Sequence, residues 1–100
     1  MFSVLFICHG NICRSPMAEF IMKDLVKKSG LSDRFMINSA ATSTEEIYGN
    51  RGNPIYPPAQ RELQRNGIPF DEHHAIQAKR SDYEKYDLLI CMDKMNVRKL

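Results

Sequence analysis

The opening of the chain constrains it most: six nearly continuous apolar, β-prone residues, Phe2 to Ile7 (FSVLFI), run directly into CHGNICRSP. Such a run suits a strand buried on both faces of a parallel sheet. Ser15 then has the chemistry of a helix cap, with Pro16 at the first helical position, where its missing N–H costs nothing. From Met17 the period is helical, with Glu19, Lys23, Asp24, Lys27 and Lys28 on one face and Met17, Phe20, Ile21, Leu25 and Val26 on the other. Lys27 and Lys28 complement the dipole of the last turn and Gly30 supplies the stop. Phe35 to Ser39 (FMINS) reads as a second strand, giving a strand–helix–strand unit of the size of a right-handed parallel crossover.

The stretch from Ala40 to Pro58 has little periodicity and holds Gly49, Gly52, Pro54, Pro57 and Pro58. A connection that long inside a compact domain is more often a functional wall or lid than a spacer. A second helix is expected from about Pro58 to Asn66, closed by Gly67. Ser81 and Glu84 have capping-box spacing for a short helix, Asp87 to Met92 (DLLICM) reads as a third strand, and Asp93 to Leu100 begins another helix. The predicted class is α/β: a three-layer sandwich on a short parallel sheet of order 2-1-3, with a phosphate-binding loop after strand 1, in one domain spanning residues 1–100. A chain of 100 residues buries roughly 65% of its unfolded surface, enough for one core.

Fourteen basic and 12 acidic residues, interspersed apart from Lys27 and Lys28 near Lys23, argue against a nucleic-acid or membrane footprint. No apolar run approaches the ~20 residues of a spanning helix, and Met1 to Ile7 lacks the features of a secretory signal, so the chain reads as cytoplasmic. Three cysteines, an odd number, favour free or catalytic thiols over a disulfide framework. No cofactor is implied.

The chemistry concentrates in Cys8 to Ser15. The segment lies between a buried strand and a helix start, where parallel α/β sheets place ligands. Cys8 and Arg14 are six positions apart, leaving five residues whose backbone N–H groups can curl round one tetrahedral anion. Gly10 permits the tight backbone, and the helix N-terminus adds partial positive charge. An anionic sulfur at Cys8 is stabilised by the amide ring, the dipole and the Arg14 guanidinium, making it a nucleophile aimed at phosphorus. Arg14 offers a planar fork for two phosphate oxygens and can follow the charge through the transition state.

The string ICHGNICRSPMAE closely resembles the signature of the low-molecular-weight protein tyrosine phosphatases. The resemblance extends over essentially the whole chain, through SAATSTEEIYGNRGNP, PPA, NGIP and CMDKMN. It implies hydrolysis of phosphotyrosine or aryl phosphate monoesters through a cysteinyl-phosphate intermediate, with a phosphotyrosine protein or a small aryl phosphate as partner and inorganic phosphate as product and inhibitor. Carried over residue by residue, it makes Cys8 the nucleophile and Arg14 the phosphate clamp. His9, Gly10, Asn11, Ile12, Cys13, Arg14 and Ser15 form the phosphate ring, in which Asn11 ties the loop into shape and His9 and Ile12 point their side chains away. Ser15 would hydrogen-bond the sulfur and assist it as leaving group, or serve as a plain cap. Tyr48 falls where an aromatic residue flanks the substrate ring, or is a surface aromatic. Asp93 would cap the last helix and support the loop from behind. Cys13 is either a resolving thiol for reversible oxidation of Cys8 or a packing residue. Cys91 reads as core, and His73 and His74 as loop residues with no metal role, since no third ligand has sensible spacing.

The family carries its general acid in an Asp-Pro motif beyond a fourth strand, and no Asp-Pro pair occurs here. Asp71, Asp82, Asp87 and Asp93 belong to other aligned segments. The expectation is therefore a chain truncated at its C-terminus, with the fourth strand missing and the third strand an open edge capable of self-association. Two other functions stay open: a catalytically impaired oxyanion-binding or redox-sensing module, and arsenate reduction on the same scaffold, for which Cys91 is a poor second thiol.

Overall fold

A computed structural model describes residues 1–49 and 51–99. Strand β1 (Phe2–Cys8) pairs in parallel with β2 (Phe35–Ala41) on one side, from Phe2 opposite Phe35 to Cys8 opposite Ala41. On its other side it pairs in parallel with β5 (Leu88–Cys91), from Val4 opposite Leu88 to Ile7 opposite Cys91. The order β2-β1-β5 is the expected one, with β1 central and its side chains almost wholly buried, as a strand covered on both faces must be. Alternation divides the core. Val4, Phe6 and Ile37 face α1 (Arg14–Lys28) through Ala18, Met22 and Val26, while Leu5, Ile7 and Ala40 face Tyr86, Ala78 and Met36 on the opposite side.

Ser3 anchors the register of β5. Its backbone N–H and hydroxyl both donate to Asp87 Oδ2 (2.7 and 3.0 Å), and the Asp87 N–H donates back to the hydroxyl at 3.0 Å. Helix α2 (Pro57–Arg65) packs Ala59 with Ile55 against Phe20 of α1. Both α1 and α2 end in a glycine in the left-handed region, Gly30 at φ 72° and Gly67 at φ 68°. The following residue reaches back five positions in each, Leu31 N–H to Val26 O at 2.8 Å and Ile68 N–H to Leu63 O at 2.9 Å. That is the geometry glycine permits after a helix.

Four expectations change. Helix α1 begins at Arg14, with Cys13 before it and no side-chain cap, so Ser15 sits inside the first turn. The buried face of α1 includes Glu19 and Asp24, whereas Ile21 and Leu25 are exposed; Asp24 is ion-paired with Lys28 at 2.8 Å and Glu19 is engaged as described below. The long connection contains a small antiparallel pair, β3 (Ile47–Tyr48) and β4 (Arg51–Gly52). The capping box at α3 (Asp82–Lys85) is not made: Ser81 has no side-chain cap bond, and Asp82 Oδ2 instead accepts the Lys79 N–H at 2.7 Å. Helix α4 (Lys94–Lys99) follows β5. Leu100, the end of the predicted last helix, lies outside the described residues.

Candidate active site

The C-terminal end of β1 delivers Cys8 to the centre of the sheet edge, and the chain turns from there into α1. Cys8 to Arg14, with Glu45 and Glu46 from the following loop, line one shallow depression. The Cys8 side chain is buried at its base. Two groups converge on its sulfur: the Asn11 backbone N–H donates to Sγ at 3.2 Å, and the Ser15 hydroxyl lies 3.0 Å away.

The direction of that second contact follows from its surroundings. Ile76 N–H, which can only donate, reaches Asn11 Oδ1 at 3.1 Å, so this atom is the amide oxygen and the other is the NH2 group. Asn11 Nδ2 therefore donates to Ser15 Oγ at 2.8 Å, and the serine hydrogen is left to point at Cys8. His73 Nε2, 3.1 Å from the same Oδ1 and 3.3 Å from the Asn11 carbonyl, faces two acceptors and must carry the ring proton. Burial holds the His73 imidazole below the ordinary histidine range, against the opposing pull of Glu19, whose Oε1 lies 3.8 Å from Nδ1. His73 is thus neutral, in one tautomer, at the back of the loop.

Asn11 itself has φ 58° and no exposed surface. Asparagine tolerates the left-handed region where most side chains do not. Glu19, buried under the same group, accepts from the Ser39 hydroxyl and pairs with Lys23 Nζ at 2.6 Å. The roles of Glu19 and His73 escaped the sequence reading. A charged residue one helical turn beyond the loop gives no local signal, although Phe20 beside Glu19 marked that face as buried, and a ring edge of His73 lies against Phe20 at 6.2 Å.

Arg14 Nη1 is held by Asp93 Oδ2 at 2.9 Å, at the rim of the depression. Asp93 also caps α4, its Oδ1 accepting the Asn96 N–H at 3.0 Å, while Asn96 Oδ1 accepts from the N–H groups of Met92 and Asp93. The Arg14 side chain first, and the Asn96 N–H second, hold the Asp93 carboxyl below the usual carboxylate range. One carboxylate thus holds both the start of α4 and the Arg14 side chain. His9 Nε2 bridges to Glu45 Oε2 at 3.0 Å across the mouth. Tyr48, on β3, is 70% exposed and is not among the residues lining the depression, where Glu45 and Glu46 take the wall. Cys13 packs against the Phe20, Ile55 and Ala59 cluster. Cys8, Cys13 and Cys91 are all free thiols; Cys91 is half-buried, its thiol pushed up by burial and then by Asp93.

The model of the low molecular weight phosphotyrosine protein phosphatase family matches residues 3–100. The chain belongs to this family. A rat low molecular weight phosphotyrosine protein phosphatase is 45% identical over 98 residues, covering 98% of this chain and 59% of the rat protein. The YfkJ low molecular weight protein-tyrosine-phosphatase of Bacillus subtilis is 44% identical over 100 residues and is covered to 62%. The crystal structure of the Streptococcus pyogenes low molecular weight protein tyrosine phosphatase superposes with a TM-score of 0.87 at 43% identity, over 99% of this chain and 61% of that one. The chain thus spans about 60% of the length of these phosphatases.

Proposed function

We propose that this chain carries the nucleophilic half of a phosphotyrosine phosphatase site, in which Cys8 Sγ attacks the phosphorus of an aryl phosphate monoester. The observation that supports this most strongly is the convergence of the Asn11 N–H and the Ser15 hydroxyl on a buried sulfur at the mouth of a helix. In the first step the S–P bond forms as the P–O bond to the phenol breaks, and the phenolic oxygen leaves with the bonding pair. Arg14, already held by Asp93, spreads its fork over the equatorial oxygens. In the second step water attacks the cysteinyl phosphate, and the Ser15 hydrogen follows the sulfur as it regains negative charge. His9 to Ser15 form the anion cradle in this reading. Inorganic phosphate, the product, competes with substrate for the same cradle.

The partner is a phosphotyrosine-bearing protein or a small aryl phosphate. Among the described residues no helix is long and apolar enough to cross a membrane. A thiol nucleophile works only when reduced, which suits the cytoplasm. In this assignment Cys13 acts as a packing residue first and a resolving thiol only after Cys8 is oxidised, and the unpaired side of β5, where Leu88 is 45% exposed, is the edge for self-association.

The test is release of phosphate from an aryl phosphate by the wild type and by Cys8→Ser. The variant should lose turnover and keep phosphate binding, because the amides and Arg14 remain. Equal rates in the two proteins would assign the hydrolysis to another group.

A further inference from the structure

A second depression, lined by cations, opens beside the first. Thr42, the residue after β2, donates its N–H to the Cys8 carbonyl at 3.0 Å, so it lies one hydrogen bond from the nucleophile's backbone. On its other side Thr42 lines a pocket of ≈ 130 Å³ with Gln77, Ala78, Lys79, Arg80, Tyr83 and Lys99. Three of these seven side chains are cations. Among the described residues none of the three is ion-paired, and the neighbouring Asp82 carboxylate is engaged by the Lys79 backbone N–H at 2.7 Å.

We propose that this pocket receives an anionic group, carboxylate or phosphate, carried by the same phosphorylated polypeptide whose phosphotyrosine enters the Cys8 loop. The proposal rests on the phosphatase reading of that loop. An oxyanion in the pocket neutralises Lys79 and Arg80. Both sites lie at the C-terminal end of the sheet, where α/β sheets bind ligands, so one extended peptide can reach both. The preference is for acidic residues near the phosphotyrosine.

The experiment is an amide NMR titration of the chain with inorganic phosphate, repeated for the double variant Lys79→Gln, Arg80→Gln, both residues being exposed. Two isotherms are expected, one for His9 to Ser15 and one for Thr42, Lys79 and Arg80, with only the second lost in the double variant. Shifts confined to His9–Ser15 overturn the pocket and leave the reaction standing. Shifts confined to Thr42, Lys79 and Arg80 keep the anion site and remove the loop as its neighbour in catalysis. No shifts at all overturn both. The source of the anion is read with Cys8→Ser and two phosphotyrosine peptides, one flanked by glutamates and one by glutamines. The acidic peptide should bind roughly two- to tenfold tighter, as expected of two exposed ion pairs, and the difference should vanish in the double variant and shrink with salt. Equal binding of the two peptides would make free phosphate the occupant and overturn the substrate assignment.

Discussion

Asn11 is the side chain on which the loop geometry depends, and its replacement separates backbone strain from hydrogen bonding. Its φ of 58° lies where an alanine costs roughly 1–2 kcal/mol and a glycine close to nothing. Its Oδ1 accepts from Ile76 N–H and His73 Nε2, and its Nδ2 donates to Ser15. Removing the side chain leaves two donors in a part-buried site without their acceptor, each costing about 1 kcal/mol at the low end of the range for unsatisfied groups. Asn11→Ala should therefore destabilise by about 3–4 kcal/mol and Asn11→Gly by about 2, a large share of the ~5–15 kcal/mol that holds a domain of this size. Urea unfolding followed by circular dichroism measures both, and phosphate binding measured on the folded fraction should weaken in each variant. If the two variants lose equal stability, the left-handed backbone carries no strain. If both lose less than about 1 kcal/mol, the hydrogen bonds through Asn11 are not what hold the loop.

Ser15→Ala removes the hydroxyl aimed at the sulfur, and a hydrogen bond to a charged group of about 1.5–3 kcal/mol corresponds to a loss of roughly ten- to a hundredfold in turnover; pre-steady-state kinetics on an aryl phosphate that show less than a twofold change would remove Ser15 from the mechanism. Stability should peak near pH 6.5. His73, lowered by burial, is neutral when folded and takes up a proton on unfolding, so stability falls as pH drops below 6.5. His74, exposed and raised first by Glu72 and then by the Gly52 carbonyl, binds its proton more tightly when folded, so its contribution is complete below 6.5 and is lost as pH rises through the higher folded value. Urea midpoints between pH 5 and 8 should show the peak, and His74→Gln should flatten only its alkaline side; an alkaline fall that survives this substitution would sink the assignment. His9, the imidazole at the mouth, is engaged by Glu45 and should not protonate a leaving phenol of pKa about 10, a transfer worth about 10²- to 10⁴-fold, so His9→Gln should leave the dependence of turnover on leaving-group pKa unchanged. A dependence on leaving-group pKa that is flat in the wild type and steep in His9→Gln would make His9 the donor.

The parts of the fold legible in the sequence were those with a strong local pattern. Phe2–Ile7 announces a two-sided buried strand because every position but Ser3 is apolar, and Gly30 and Gly67 announce helix ends because each must take a positive φ. The turn from β1 into α1 at Cys8–Arg14 was legible as well, from an apolar run that stops at Cys8 and a helical period that starts soon after it. The wheel of α1 misled because Glu19 and Asp24 read as solvent residues, whereas each is buried with a lysine four positions on as its partner. Burial of a charge is set by tertiary partners that helical periodicity does not contain. Ser15 was ambiguous for a similar reason: cap and sulfur donor need the same residue type, and one residue of shift in the start of α1 decides between them. His73 lies 62 positions from Asn11, so only the folded chain could show their contact.

The polar residues behind the loop also restrict how the loop can rearrange. Asn11, Ser15, Glu19, Ser39 and His73 form a connected set between β1, β2, α1 and the segment before Ile76, and its members are nearly all buried. A set of this kind is costly if any member loses its partner. Its ends have a single hydrogen-bonding sense, since the Ile76 N–H only donates and an ionised Glu19 carboxylate only accepts. Between them, flipping the Asn11 amide would set its NH2 against the Ile76 N–H and the His73 ring proton together, and would turn the Ser15 hydrogen away from Cys8. The proton at Ser15 is therefore directed toward the sulfur by groups up to two hydrogen bonds away, with no substrate present. In the function proposed above, that is what electrostatic catalysis at Cys8 would require, since donors aimed before charge develops need not reorganise while it does.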